Sequence, residues 1–119
     1  MLSLPNRLPK NDIPLLLRRG VHVRSDIIEF VYKKTNTDSR LRGNDNIVPH
    51  FAFIVSTKID KRATARNRMR RVMSESVRHT LPSMTSCDGI FIARRNFAER
   101  PQTEIQMLIE EILKKAGIL

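Results

Sequence analysis

One stretch of the sequence constrains the fold of this chain more than any other feature. It is rich in basic residues, and its apolar residues recur at helical spacing. Between Lys58 and Arg78 there are eight basic residues and only two acidic ones. At 3.6 residues per turn, five small or apolar residues of this stretch share one side of a helix: Ala65, Met69, Val72, Met73 and Ser76. We therefore predict a helix from about Thr64 to Thr80, ending before Pro82, with one side for a core and the other for an anion.

The other side of this predicted helix is rich in arginine. It carries Asn67, Arg70, Arg71, Ser74 and Arg78, with Arg66 and Arg68 at its two borders. The guanidinium group of arginine donates paired hydrogen bonds to phosphates and stacks on bases. Cations fixed on a rigid helix can match the phosphate spacing of a polyanion. The whole chain has 119 residues and a formal charge of +10, so we expect a nucleic acid as partner and no membrane.

Several protein classes are excluded by composition. The single cysteine, Cys87, rules out an internal disulfide and a Cys-rich zinc site. No apolar run approaches the roughly 20 residues of a membrane span, and the first residues lack the pattern of a signal peptide. We therefore expect one cytoplasmic domain over residues 1–119, monomeric on its own.

The remaining pattern predicts three helices and three strands in the order α-β-β-α-β-α. Besides the basic helix, these are a helix from Asn11 to Gly20, strands over 21–34, 47–57 and 89–93, and a helix from Pro101 to Ala116. Ile28, Phe30 and Tyr32 share one face of the first strand, as Phe51, Phe53 and Val55 do in the second. Residues 35–46 are polar and predict a loop insertion. Helices packed against one sheet give an α+β domain.

The string Ala-Arg-Asn-Arg-Met-Arg-Arg at residues 65–71 resembles the Arg-Asn-Arg signature of the bacterial ribonuclease P protein subunit. Phe-Ile-Val-Ser-Thr-Lys at 53–58 looks like that family's second strand, and Asp-Gly-Ile-Phe-Ile-Ala-Arg at 88–94 looks like its Asp-x-apolar-x-apolar-Ala-Arg strand. Residues 110–117 are similar to its closing helix, and residues 6–8 and 18–20 to its Arg-Leu and basic-Gly positions. The resemblance covers most of residues 6–117.

The resemblance implies both a fold and a function. The fold is an α/β sandwich with one mixed sheet, in which a left-handed βαβ crossover places the basic helix between two parallel strands. The function is that of the protein component of an endoribonuclease holoenzyme. Its RNA subunit carries out catalysis, holds most of the Mg²⁺ and removes the 5′ leader of precursor tRNA. The catalytic RNA and precursor tRNA are the implied partners.

The resemblance also implies two sets of RNA-binding residues. The set that would contact the catalytic RNA is Arg66, Asn67, Arg68, Arg70 and Arg71, extended by Lys58, Lys61, Arg62 and Arg78. Arg78 is the candidate substitute for an arginine that the family often has near Ser74. A cleft between the first helix and the sheet would hold the leader. Ile13 and Leu17 stand there in place of two family aromatics, so Phe30 and Tyr32 are the candidates for base stacking.

Three other functions remain open from the residues. An autonomous nuclease would need its own acid, base or metal ligands. However, His22, His50 and His79 are scattered, and the acidic residues form no compact set, so we predict no catalytic and no metal-binding residue. A stand-alone RNA-binding module is the main alternative, because residues 51–54 (Phe-Ala-Phe-Ile) weakly resemble the RRM signature. A ribosomal or DNA-binding protein is less favoured, since no second helix follows at helix-turn-helix spacing.

Overall fold

A mixed four-stranded sheet is the framework of the molecule in this computed structural model, which describes residues 8, 10–34, 49–84 and 87–119. The strands are β1 (Val21–Arg24), β2 (Ile28–Lys34), β3 (His50–Ile54) and β4 (Cys87–Ala93), in the spatial order β1-β2-β4-β3. β2 is antiparallel to β1 and β4, whereas β3 runs parallel to β4. The helices are α1 (Ile13–Arg19), α2 (Ala63–Thr80) and α3 (Gln102–Ala116). The predicted α+β class with one mixed sheet is confirmed.

The prediction of a single strand over residues 21–34 is wrong, because this segment is the hairpin β1–β2. Ser25 closes the turn: its backbone N–H and its Oγ both donate to the Ile28 carbonyl, at 3.0 and 2.8 Å. Ser25-Asp26 is typical of a turn, but the apolar residues on both sides made the segment resemble one strand. The described part of the chain therefore has four strands, whereas we predicted three.

The other predicted elements agree with the structure apart from their ends. α2 begins at Ala63 and ends at Thr80, and α3 runs from Gln102 to Ala116. β3 is shorter than the predicted 47–57 strand, whereas β4 begins at Cys87, two residues earlier than predicted. The predicted loop over 35–46 lies outside the described residues, as do residues 47 and 48.

One face of the sheet, here called the helix-covered face, holds the main core. Phe30 and Phe53 both pair with Phe91 in the sheet register, with ring centroids 4.4 and 5.8 Å from Phe91. α2 and α3 pack on these rings with residues at helical spacing: Met69, Met73 and Val77 from α2, and Ile105, Ile109 and Leu113 from α3. Full burial of each such side chain contributes about 1.5–3 kcal/mol, so this layer is the main source of stability.

The described residues cover only part of the opposite face, here called the α1 face. Leu16 of α1 and Leu8 pack on Val31 and Ile90, with Ile13 and Leu17 at the margin of the cluster. Ile54 and Ile92 lie on the same face and are half-buried. Among the described elements, the sheet therefore has one face closed by helices and one face that is open beside α1.

Among the described residues, no helix is long and apolar enough to cross a membrane.

Candidate nucleic-acid interface

The two-sided character predicted for α2 is present in the structure. Its buried residues include all five that the periodicity assigned to the core side, and Arg68, Arg71 and Arg78 are exposed. Ser74 is the exception: we predicted it on the outer side, but it is only 3% exposed. It lies at the border of the two sides, where α2 meets β3, and so it faces the protein.

Hydrogen bonds orient most of the arginines of α2. Arg66 Nη1 donates to the backbone carbonyls of Asp60 and Lys61, at 3.1 and 2.9 Å. Arg68 Nε donates to the Ala98 carbonyl, at 2.5 Å. Within the helix, Arg70 donates to the side-chain oxygen of Asn67, and Arg78 to Glu75. A guanidinium has five N–H donors, so each arginine keeps donors for a phosphate while its direction is fixed.

Asp60 fixes the connector before α2, residues 58–62, through hydrogen bonds. The Asp60 carboxylate accepts from the backbone N–H and the guanidinium of Arg62, and from the side-chain amide of Asn96. These hydrogen bonds, with that from the Arg62 side chain the strongest, hold the pKa of Asp60 well below its usual value. Arg62, predicted to contact RNA, is thus engaged in this ion pair although it is exposed. Lys58 and Lys61 are exposed on the same connector.

A groove of about 640 Å³ lies between α1, β3 and α2. Phe51, Ala52 and Phe53 of β3 line it, together with Leu8, Lys10 and Ile13 on the α1 side and Asn67, Arg70, Arg71 and Ser74 on the α2 side. Single-stranded nucleic acid binds where cations track the backbone and apolar or aromatic side chains accept the bases. The groove combines both kinds of surface.

The predicted leader-binding residues do not form one cleft. Ile13 lines the groove and Leu17 packs beside it on the α1 face. Phe30 is 0% exposed and stacked between Tyr32 and Phe91, so the prediction that it stacks on bases is wrong. Tyr32 lies with it on the helix-covered face, because residues two apart on a strand share a face. Phe51 and Phe53 of the edge strand β3 are the aromatic residues that line the groove, and Phe53 is the half-buried one.

The same burial contradicts the RRM alternative. In an RRM the aromatic residues of the sheet lie open and stack on bases. Here Phe51, which that interpretation requires at the surface, is 1% exposed beneath the helices.

A cluster that sequence reasoning missed lies on the α1 face. Glu29 of β2 is buried, and its carboxylate meets His22, Arg24 and Arg94. Its sequence signal was a single acidic residue among the apolar residues 27–31. Because Arg94 is 65 residues further along the chain, only the β2–β4 pairing brings the two together.

His50 and Cys87 lie at the starts of the parallel strands β3 and β4. His50 Nδ1 lies 3.3 Å from Asp88 Oδ1, a pair that links neighbouring strands. Burial raises the pKa of the Cys87 thiol to about 12, which disfavours the nucleophilic thiolate. Within the described ranges, no group of three or more His, Cys, Asp or Glu side chains could hold a metal ion.

Comparison with known proteins identifies relatives of the chain. The family model described as Ribonuclease P matches residues 5–117. A ribonuclease P protein component of Xanthomonas euvesicatoria pv. vesicatoria is 35% identical over 71 residues, covering 60% of this chain and 49% of that relative. One of Synechococcus sp. is 31% identical over 88 residues, covering 71% and 69%. The chain thus spans about half the length of the Xanthomonas relatives it matches.

Solved structures show the same fold. The RNase P protein of Staphylococcus aureus superposes with a TM-score of 0.77 at 23% identity, covering 95% of this chain and 96% of that one. The RNase P protein of Thermotoga maritima gives 0.75 at 19% identity, covering 92% and 96%.

Proposed function

The chain belongs to the ribonuclease P protein family, and on that premise we propose that it is the protein subunit of a ribonuclease P holoenzyme. In this role it binds the catalytic RNA and the 5′ leader of precursor tRNA, and the RNA subunit cleaves the leader. The observation that carries the proposal is the groove, with its apolar β3 side and the arginines of α2 beside it.

In this mechanism the protein binds and positions but breaks no bond. Arg66, Arg68 and Arg70 are held by hydrogen bonds within the protein, so little side-chain entropy is lost when they meet phosphates. We assign most of the Mg²⁺ of the holoenzyme to the RNA subunit, as the family resemblance implies. The protein would then raise substrate affinity and lower the Mg²⁺ concentration that the RNA needs.

The first test is reconstitution. The full chain is mixed with a bacterial ribonuclease P RNA and a 5′-extended precursor tRNA, at a Mg²⁺ concentration too low for the RNA alone. We expect cleavage at the mature 5′ end only when both components are present. RNA binding without stimulation would leave a stand-alone RNA-binding module, and cleavage without the RNA would mean a nuclease site in the protein.

The second test uses the salt dependence of binding to the catalytic RNA. Replacing Arg70 and Arg71 by alanine removes two cations from the groove. Counterion release predicts that the slope of log K against log salt flattens by about 1.4–1.8. Lys114→Ala with Lys115→Ala is the matched control, since it removes the same charge from the exposed end of α3. Equal slopes for the two double variants would show a nonspecific charge effect and reject α2 as the contact surface.

A further inference from the structure

The α1 face carries a buried carboxylate, Glu29, whose partners come from one strand, β1, and from the end of another, β4. Glu29 is 1% exposed. The Arg94 guanidinium donates to Glu29 Oε1, with Nε at 2.7 Å. His22 Nδ1 donates to Oε2 at 2.6 Å, and Arg24 Nε lies 3.6 Å from the same oxygen. All the partners are thus held by one carboxylate.

The register explains this convergence. Arg24 is the direct cross-strand partner of Glu29, and His22 lies two residues back on β1, so both share the α1 face with Glu29. On the other side Glu29 pairs with Ile92 of β4, and Arg94 follows two residues later. The arrangement is therefore built by the sheet and not by flexible surface residues.

The charge balance favours an ionised Glu29. Burial by itself raises the pKa of a carboxyl group, but hydrogen bonds from His22 and Arg94 and the charges of Arg94 and Arg24 outweigh it. The pKa of Glu29 is therefore held below its ordinary value. Without this negative charge, two guanidiniums gathered at one point would repel each other.

The cations that Glu29 gathers still face outward. The side chains of Arg24 and Arg94 are 79% and 51% exposed, so each keeps N–H donors that point away from the carboxylate. Beside them the half-buried Ile54 and Ile92 continue the open part of the α1 face. The patch is thus cationic next to an apolar strip, and none of these four residues lines the groove beside α2.

We propose that Glu29 is a positioning residue for a second phosphate site, in which Arg24 and Arg94 together clamp one phosphate of a single-stranded RNA segment crossing the α1 face. Guanidiniums bind phosphate through pairs of N–H donors, and the adjacent isoleucines offer an apolar surface to a base. The proposal rests on the proposed function in one respect, which is that the ligand is RNA.

Glu29→Gln separates positioning from simple charge. It removes one negative charge close to the RNA, so electrostatics alone predicts equal or tighter binding. Positioning predicts the opposite, because a neutral amide no longer holds the two guanidiniums together. We expect about three- to tenfold weaker binding, the range for the loss of one ordinary hydrogen bond.

The measurement is fluorescence anisotropy of a labelled single-stranded oligoribonucleotide with the full chain, below the melting temperature of each variant. Arg24→Ala and Arg94→Ala replace exposed side chains, so their effects remain readable if Glu29→Gln fails to fold. Glu104→Gln is the matched control, since it disrupts the exposed ion pair between Glu104 of α3 and Arg100, which precedes that helix. In an Arg94→Ala background, Glu29→Gln should add little further loss.

The outcomes separate this proposal from the proposed function. Weaker binding by Glu29→Gln, Arg24→Ala and Arg94→Ala, with Glu104→Gln unchanged, supports the phosphate site even if reconstitution fails. Unchanged or tighter binding by Glu29→Gln overturns the positioning role. Full affinity of both arginine variants overturns the site itself. Reconstitution alone then tests the proposed function.

Discussion

At the scale of single residues, Gly89 lies where the aromatic core leaves the least space. A Cβ at this position would lie 2.5 Å from Phe30 Cε1 and 3.1 Å from Phe51 Cδ1. Phe30 cannot move aside freely, because it is stacked against Phe91 at 4.4 Å. We expect Gly89→Ala to lower the free energy of unfolding by about 1–3 kcal/mol through overpacking.

Urea denaturation followed by circular dichroism measures this effect. Ser83→Ala, at an exposed position after α2, is the control and should change stability by less than about 0.5 kcal/mol. If Gly89→Ala were as stable as this control, the rings around Gly89 would be more mobile than the stacking indicates.

The residue scale also shows what the sequence could reveal about the site. Helical spacing identified five of the eight buried residues of α2, because the apolar pattern is strong there, but it placed the buried Ser74 on the outer side. Strand alternation correctly placed Phe30 and Tyr32 on one face, but it could not say which face the helices cover. Phe30 is therefore buried and not open to bases, and the aromatic residues that line the groove are Phe51 and Phe53 of β3.

At the scale of elements, Asp60 joins the start of α2 to the segment between β4 and α3. It accepts hydrogen bonds from Arg62 and Asn96. Because its pKa in the folded state lies below the ordinary 3.8, its contribution to stability is present at pH values above 3.8 and is lost as the pH falls through the lowered value. We expect Asp60→Asn to lower the melting temperature at neutral pH.

The pH dependence gives this prediction its test. Thermal melts in a pH series should show a constant gap between wild type and Asp60→Asn from neutral pH down to the ordinary pKa, and a shrinking gap well below it. Asp26→Asn, exposed in the hairpin turn, is the matched control. A gap that closed near neutral pH would assign the stabilisation to another group.

The elements themselves were largely predictable from local patterns, and the exceptions have physical reasons. α3 ends where expected because Gly117 adopts a left-handed conformation with φ of 76°. The β1–β2 turn was missed because Ser25-Asp26 has apolar, strand-forming residues on both sides. The Glu29 cluster could not be found locally, since its partners meet only after β2 pairs with β4.

At the scale of the whole molecule, each of the three described α-helices packs against the sheet. β4 lies between β2, which precedes it by more than fifty residues, and β3, which runs parallel to it. α2 and α3 pack on the same aromatic layer and on each other. Neither the helices nor the sheet has a core of its own, so we expect the chain to unfold in a single cooperative transition.

Tyr32 makes this expectation testable, because it is the only tyrosine and the chain has no tryptophan. It stacks on Phe30 at 5.3 Å, so its fluorescence reports on the sheet, whereas far-UV circular dichroism reports mainly on α2 and α3. In urea, both signals should give the same midpoint and the same slope. An earlier Tyr32 transition would mean that the hairpin separates while the helices remain, and the Glu29 cluster would then open before the α2 surface is lost.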